Sequence, residues 1–198
     1  MARTPDWRGN PIPPSHLQLL LRDSPFVRAY RTGAASRPGS SLATSFEDYL
    51  RADLRVKVAR PGDILDFLRG CAYVRDIDQH GRPEVWMHPE DFERRRAGDC
   101  EDRALWAWIQ FARLGLDSRF VAGMHEGGGH AWVALFGEGE TLLCETTSRD
   151  EGGFLAPAGS RPEYEPVWSV DREARFYWHG PAQDGGIEFL EEDPPPAR

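Results

Sequence analysis

Cys100, His130 and Glu145 are of the residue types that act as nucleophile, base and orienting acid, and they follow one another in that order along the 198-residue chain. The cysteine lies in Gly98-Asp99-Cys100-Glu101-Asp102, where a loop gives way to the strongest helical pattern in the sequence, Asp99 to Leu114. A thiol at the first turn of a helix sits among backbone N–H groups that have no intrahelical partner, which favours the thiolate. Three flanking carboxylates push the other way, so a histidine partner is required. His130 opens a strand-like run behind Gly127-Gly128-Gly129, a glycine stretch that lets another backbone or a substrate come close. Glu145 closes the run Leu142 to Thr147. If the runs His130 to Phe136 and Thr141 to Thr146 pair across Gly137-Glu138-Gly139-Glu140, its carboxylate reaches the far nitrogen of the His130 ring. Period-two alternation supports this, placing Leu143 and Glu145 on one face and Cys144 on the other. Such a constellation fixes the imidazole tautomer and stabilises the imidazolium.

Cys100, His125, His130 and Glu145 are also ligand types for zinc, and His125-Glu126-Gly127-Gly128-Gly129-His130 has an outward likeness to a zinc-protease helix motif. That motif needs histidines four apart on one helical face, whereas here they are five apart with three glycines between them. No metal and no cofactor are expected.

Around these residues the chain predicts a mixed arrangement. Ser15 caps a short helix carrying Leu17, Leu20 and Leu21, Gly33 to Ser41 is a loop, and Ser45 with Asp48 resembles a capping box ahead of Phe46, Tyr49, Leu50 and Leu54 at helical spacing. Pro61 and Asp63 start another helix, with Ile64, Leu65 and Leu68 on its face and Gly70 at its end. Tyr73 to Ile77 and Pro83 to Met87 flank Gln79-His80-Gly81-Arg82 as a hairpin or irregular excursion, and Arg94-Arg95-Arg96 forms a solvated turn. The Asp99 helix carries Leu105, Trp108, Phe111 and Ala112 on one face and stops at Gly115; of Trp106 and Trp108, two residues apart, one packs inside and the other faces a groove or another element. Strand-like runs follow at Arg119 to Met124, His130 to Phe136 and Thr141 to Thr146, and Glu163 to Val170 and Ala174 to Trp178 add edge strands. A helix followed by antiparallel strands is an α+β layer arrangement.

Composition sets the outer bounds. Twenty-four basic against 32 acidic residues give a formal charge of −8, which excludes general phosphate-backbone binding and attraction to anionic membranes, so neither nucleic acid nor membrane is an expected partner. The start Met-Ala-Arg-Thr-Pro-Asp carries charge and proline in place of an apolar leader, and the expected location is the cytoplasm. Three cysteines, Cys71, Cys100 and Cys144, cannot all pair, so at least one thiol is free.

Taken together, Trp86-x-x-Pro89-Glu90, Gly98-Asp99-Cys100-Glu101-Asp102, His130-Ala131-Trp132-Val133 and Glu145-Thr146-Thr147 resemble the transglutaminase-like superfamily of cysteine proteinases and acyltransferases, particularly its small bacterial members. The resemblance spans about residues 63 to 150. It implies a papain-like core with Cys100 as nucleophile, His130 as general base and acid, Glu145 where the superfamily usually has aspartate, and Trp86 as a candidate oxyanion donor. The expected organisation is an N-terminal arm and helices over residues 1–62, a catalytic core over 63–180 and an acidic, proline-rich, disordered tail over 181–198. The expected activity is acyl transfer from amide bonds through a Cys100 thioester, as a cysteine peptidase or amidase acting on a peptide, protein or small amide. A transglutaminase-type amine acyltransferase and a non-catalytic protein-binding module of the same fold are the alternatives.

Overall fold

The computed structural model describes residues 30–32, 46–82, 85–137, 140–149, 151–179 and 189–191. The expected helix at Ser15, the Gly33 to Ser41 loop, the Ser45 cap and most of the acidic tail lie outside these residues. In chain order the described elements are β1 (Tyr30–Thr32), α1 (Phe46–Leu50), α2 (Pro61–Arg69), β2 (Ala72–Tyr73), α3 (Asp76–His80), α4 (Pro89–Arg95), β3 (Ala97–Gly98), α5 (Cys100–Arg113), β4 (Ser118–His125), β5 (Gly128–Phe136), β6 (Thr141–Cys144), α6 (Glu151–Phe154), β7 (Leu155–Pro157), β8 (Tyr164–Asp171), β9 (Phe176–Trp178) and β10 (Phe189–Glu191). Six strands form one antiparallel sheet in the order β7-β6-β5-β4-β8-β9. Helices cover one face of it, which is the α+β arrangement expected. No described helix is long and apolar enough to cross a membrane.

Helix α5 is the axis of the structure, and it is buried on every side. Trp106 and Trp108 are both fully buried, and of the two places expected for the second ring, a groove or another element, it takes the latter. The reason is that two layers cover the helix. Trp106 stacks on Phe67 of α2 at 4.0 Å and donates from Nε1 to Glu93 of α4 at 2.9 Å. Trp108 faces the other way, edge-on to Phe46 and tilted against Phe120 of β4. Burial of aromatic and aliphatic side chains of this size stabilises the fold by roughly 2–3 kcal/mol each.

Helix α2 begins and ends where Pro61, Asp63 and Gly70 place it, with Asp63 accepting the Ala59 and Arg60 N–H groups at 2.8 and 3.2 Å. Helix α1 is shorter than its apolar spacing suggests and stops at Leu50. Leu54 is nonetheless buried, because the stretch after α1 is extended and strapped across two helices. Its N–H groups at Asp53 and Arg55 go to Glu90 and Glu93 of α4, both at 2.6 Å, and its carbonyls at Val56 and Leu54 accept from Gln110 and Arg113 of α5. Of the two courses expected around Gln79 to Arg82, a hairpin or an irregular excursion, the described residues show no hairpin. Instead β2 pairs in parallel with β3, and Asp76–His80 is a helix that Gly81 ends in the left-handed conformation. The expected arginine turn is the last turn of α4, with Arg96 as its left-handed cap. Strand β8 is interior, between β4 and β9, in place of the expected edge position, and β7 takes the edge beyond β6.

The turn between β4 and β5 consists of two residues, Glu126 (φ 51°) and Gly127 (φ 79°), both left-handed as the tightest hairpin turns require. This is why the His125 to His130 segment forms a hairpin and no metal-binding helix. Gly123, opposite His130 across the hairpin, sits where β8 shifts register. A methyl group there would meet the Glu165 carbonyl at 2.1 Å and the Trp132 ring at 2.7 Å, so only glycine lets β8 and Trp132 close in beside His130.

Candidate active site

Cys100 is the first residue of α5, after Asp99, and the parallel β2–β3 pair holds the loop before it. Strand β6 pairs with β5 only over Val133 to Phe136, so the β5 edge beyond it is left open on that side. The Ala131 N–H there turns to the Cys100 sulfur, one residue from His130. His130 and Trp132 project from the opposite face to Ala131 and Val133, the face that also carries Leu143 and Tyr164. Glu145, the residue after β6, follows the same alternation, and its Oε2 lies 2.7 Å from His130 Nε2. The contact between His130 and Glu145 expected from strand alternation is therefore present.

The remaining lone pairs of Glu145 are also occupied. Oε1 accepts from the Thr147 N–H at 2.8 Å and the Thr147 hydroxyl at 2.6 Å, and Oε2 accepts from the Tyr164 hydroxyl at 2.8 Å. Burial disfavours the ionised carboxylate, but the His130 hydrogen bond and charge, with the two Thr147 bonds, outweigh it and hold the pKa at about 2. An ionised carboxylate only accepts, so His130 Nε2 is the donor in this contact.

The sign of the pH dependence follows. A carboxyl whose folded pKa lies below its unfolded one stabilises the fold fully above the unfolded value and loses that contribution as pH falls through the folded value. A drop from 4.5 to about 2 is worth roughly 3 kcal/mol, lost between those two pH values. Urea midpoints taken across this range will fall more steeply for the native chain than for Glu145→Gln. Parallel curves would show that the carboxylate is not held this way.

The sulfur is less freely placed. Cys100 Sγ donates to Glu101 Oε2 at 3.1 Å, and its pKa is pushed far up by burial, then by the charge and hydrogen bond of Glu101 and the charge of Asp99, against the Ala131 N–H. At rest this is a protonated thiol. Trp86 is 5% exposed and belongs to an aromatic cluster with Phe46, Phe120 and Trp168, stacking on the last at 6.1 Å. Tyr73, paired in register with Gly98, is half exposed at the rim, and its pKa of about 12 reflects burial first and then the charges of Cys100, Asp99, Glu101 and Glu145.

Among the described residues, the groups whose metal-ligating atoms lie within 4.8 Å of one another are Asp99-Cys100-Glu101 and Asp76-Asp99-Asp102; neither includes a histidine. The second is an all-oxygen set beneath the cysteine loop. Asp102 is fully buried, with Oδ1 accepting the Met87 N–H at 2.8 Å and Oδ2 without a hydrogen-bond partner. Burial, the Asp99 charge and the Asp76 charge all raise its pKa well above the usual carboxylate range. The sequence offered Asp99 and Asp102 only as flanking charges. Asp76 and Tyr164 left no sequence signal, since both reach the site from elements distant in the chain.

No protein-family model matches the chain, and no curated protein does. Among solved structures the chain is similar to Legionella pneumophila LapG. One such structure has 19% identity and a TM-score of 0.49, over 68% of this chain and 75% of that one. The EGTA-treated form has 19% identity and a TM-score of 0.51, over 69% and 75%. The calcium-bound form has 20% identity and a TM-score of 0.47, over 68% and 75%. At these identities the likeness is one of fold alone, an α+β core shared with the EGTA-treated LapG structure.

Proposed function

We propose that this protein is a thiol-dependent acyl-transfer enzyme acting on amide bonds, a cysteine peptidase or amidase that works through Cys100, His130 and Glu145 and a thioester. The observation that carries the reading is the 2.7 Å contact between His130 Nε2 and Glu145 Oε2, one residue from the N–H that faces the Cys100 sulfur. With Nε2 engaged, Nδ1 takes the thiol proton as sulfur attacks the amide carbonyl carbon. The oxyanion is received by backbone N–H groups at the start of α5. Collapse breaks the C–N bond, the imidazolium protonates the departing amine, and the acyl group stays on sulfur. Water then attacks the thioester, giving its proton to His130, and the acid leaves as the thiol is restored. Water needs no second binding site, which favours hydrolysis over transfer to an amine.

The test is mass spectrometry of the chain with a mixture of extended peptides, in the presence and absence of an added primary amine. Cleaved peptides and a trapped thioester support the reading. Products that carry the amine assign an amine acyltransferase, and stoichiometric peptide binding without turnover assigns a binding module.

A second reading concerns the acid cluster. Three buried carboxylates with only oxygen donors, one of them with an unpartnered oxygen, suit a hard divalent cation better than zinc. Asp76, Asp99 and Asp102 would hold it. When bound, the ion supplies positive charge that offsets the acidic loop around Cys100. Isothermal titration calorimetry with calcium and with magnesium will show binding, and a chelator will lower the melting temperature. No heat of binding and no change in melting with either ion would remove the cation from the reading.

A further inference from the structure

Glu145 carries one more methylene, and so one more rotatable bond, than the aspartate the resemblance implies at its position. Orienting an imidazole with the longer side chain requires that this freedom be removed. A carboxylate offers about four lone-pair sites, and all are taken here by His130, Tyr164 and the two Thr147 donors. The donors differ in what they anchor. Thr147 lies two residues along the same loop and moves with Glu145. Tyr164 comes from β8, two strands away from the strand of His130 and 19 residues along the chain from Glu145, and ties the carboxylate to the frame of the sheet.

The Tyr164 ring is itself held. His125 stacks on it at 4.1 Å with planes 24° apart, and Trp132 meets it edge-on at 5.3 Å. Its hydroxyl shares Oε2 with the imidazole, so the direction from which it donates determines which lone pair faces Nε2. Gly123 makes this approach available, because β8 could not close on the hairpin at that level over a larger residue.

We propose that Tyr164 is a positioning residue of the site, its hydroxyl clamping Glu145 Oε2 to β8 so that the glutamate presents a single geometry to His130. This rests on the acyl-transfer reading above. Tyr164→Phe keeps the stacked ring and removes only the donor. The expected result is a kcat about tenfold lower with KM unchanged, as befits loss of one hydrogen bond to a charged group that does not touch substrate. The imidazole Nε2–H resonance of His130, followed by proton and nitrogen NMR, will shift or broaden. Unchanged kcat with an unmoved resonance overturns the proposal, as does a raised KM at constant kcat, which would make Tyr164 a substrate contact. If the native chain turns over no amide at all, the acyl-transfer reading fails by itself. The resonance then decides the clamp alone: moved by Tyr164→Phe it stands, unmoved it falls.

Discussion

Cys100→Ser will fold as the native chain does and lose amide turnover by about 10⁴-fold or more, because a hydroxyl in place of the thiol is a far weaker nucleophile at the same position. His130→Ala will fall to about the same level, and the double variant will fall no further, since the two act as a unit. The other cysteines cannot substitute. Cys71 and Cys144 are buried, whereas Cys100 is only partly buried at the start of α5. Alkylation followed by intact-mass measurement will therefore add one group to the folded chain, at Cys100, and three after unfolding, one for each cysteine. Turnover by Cys100→Ser within tenfold of the native rate would remove Cys100 from the mechanism. A folded chain that takes up more than one group would show that Cys71 or Cys144 is open to solvent.

Local chemistry made helix α5 and the contact between His130 and Glu145 legible. Helix α5 announces itself through its acidic start, its apolar spacing and Gly115, and strand alternation alone places Glu145 on the face of Leu143, where it meets His130. What the sequence hides is whatever depends on a partner far along the chain. Trp106 reads as half of a conflict with Trp108 until α2 and α4 are laid over it. Leu54 reads as the end of a helix because its burial depends on Glu93, Gln110 and Arg113, none of them nearby in sequence. The stretch from Tyr73 to Met87 reads as a hairpin or an irregular excursion because β2 is two residues long and its partner β3 lies beyond two helices, in a parallel pairing that carries no turn signal. The hydrogen bond from the Cys100 thiol to Glu101 depends on side-chain geometry that residue type alone leaves open.

Arg103 is the extreme case of such concealment. By composition it is one more charge on the first turns of α5; in the structure it is 2% exposed. Its guanidinium donates to the Thr146 carbonyl at 2.8 Å, to Leu68 at 3.0 Å and to Cys71 at 3.4 Å. It thus joins three segments: the helix that begins at Cys100, the end of α2, and the turn that carries Glu145 and Thr147. Burial opposes its charge and lowers its pKa, so removing the charge returns part of what removing the hydrogen bonds loses. Methionine of similar length fills most of the volume but leaves buried carbonyls without donors, at about 1–3 kcal/mol each. Arg103→Met will lose roughly 3 kcal/mol, a melting temperature lower by about 6–12 °C for a chain of this size. Thr146 lies between Glu145 and Thr147, so turnover will fall at temperatures where the variant is still folded. Arg103→Lys will recover little of either, because an ammonium is compact and lacks the planar fork that spans three carbonyls. Stability within 1 kcal/mol of native for Arg103→Met, measured by urea unfolding, would mean that water or the loop itself satisfies those carbonyls and that the orienting acid is held by Thr147 and Tyr164 alone.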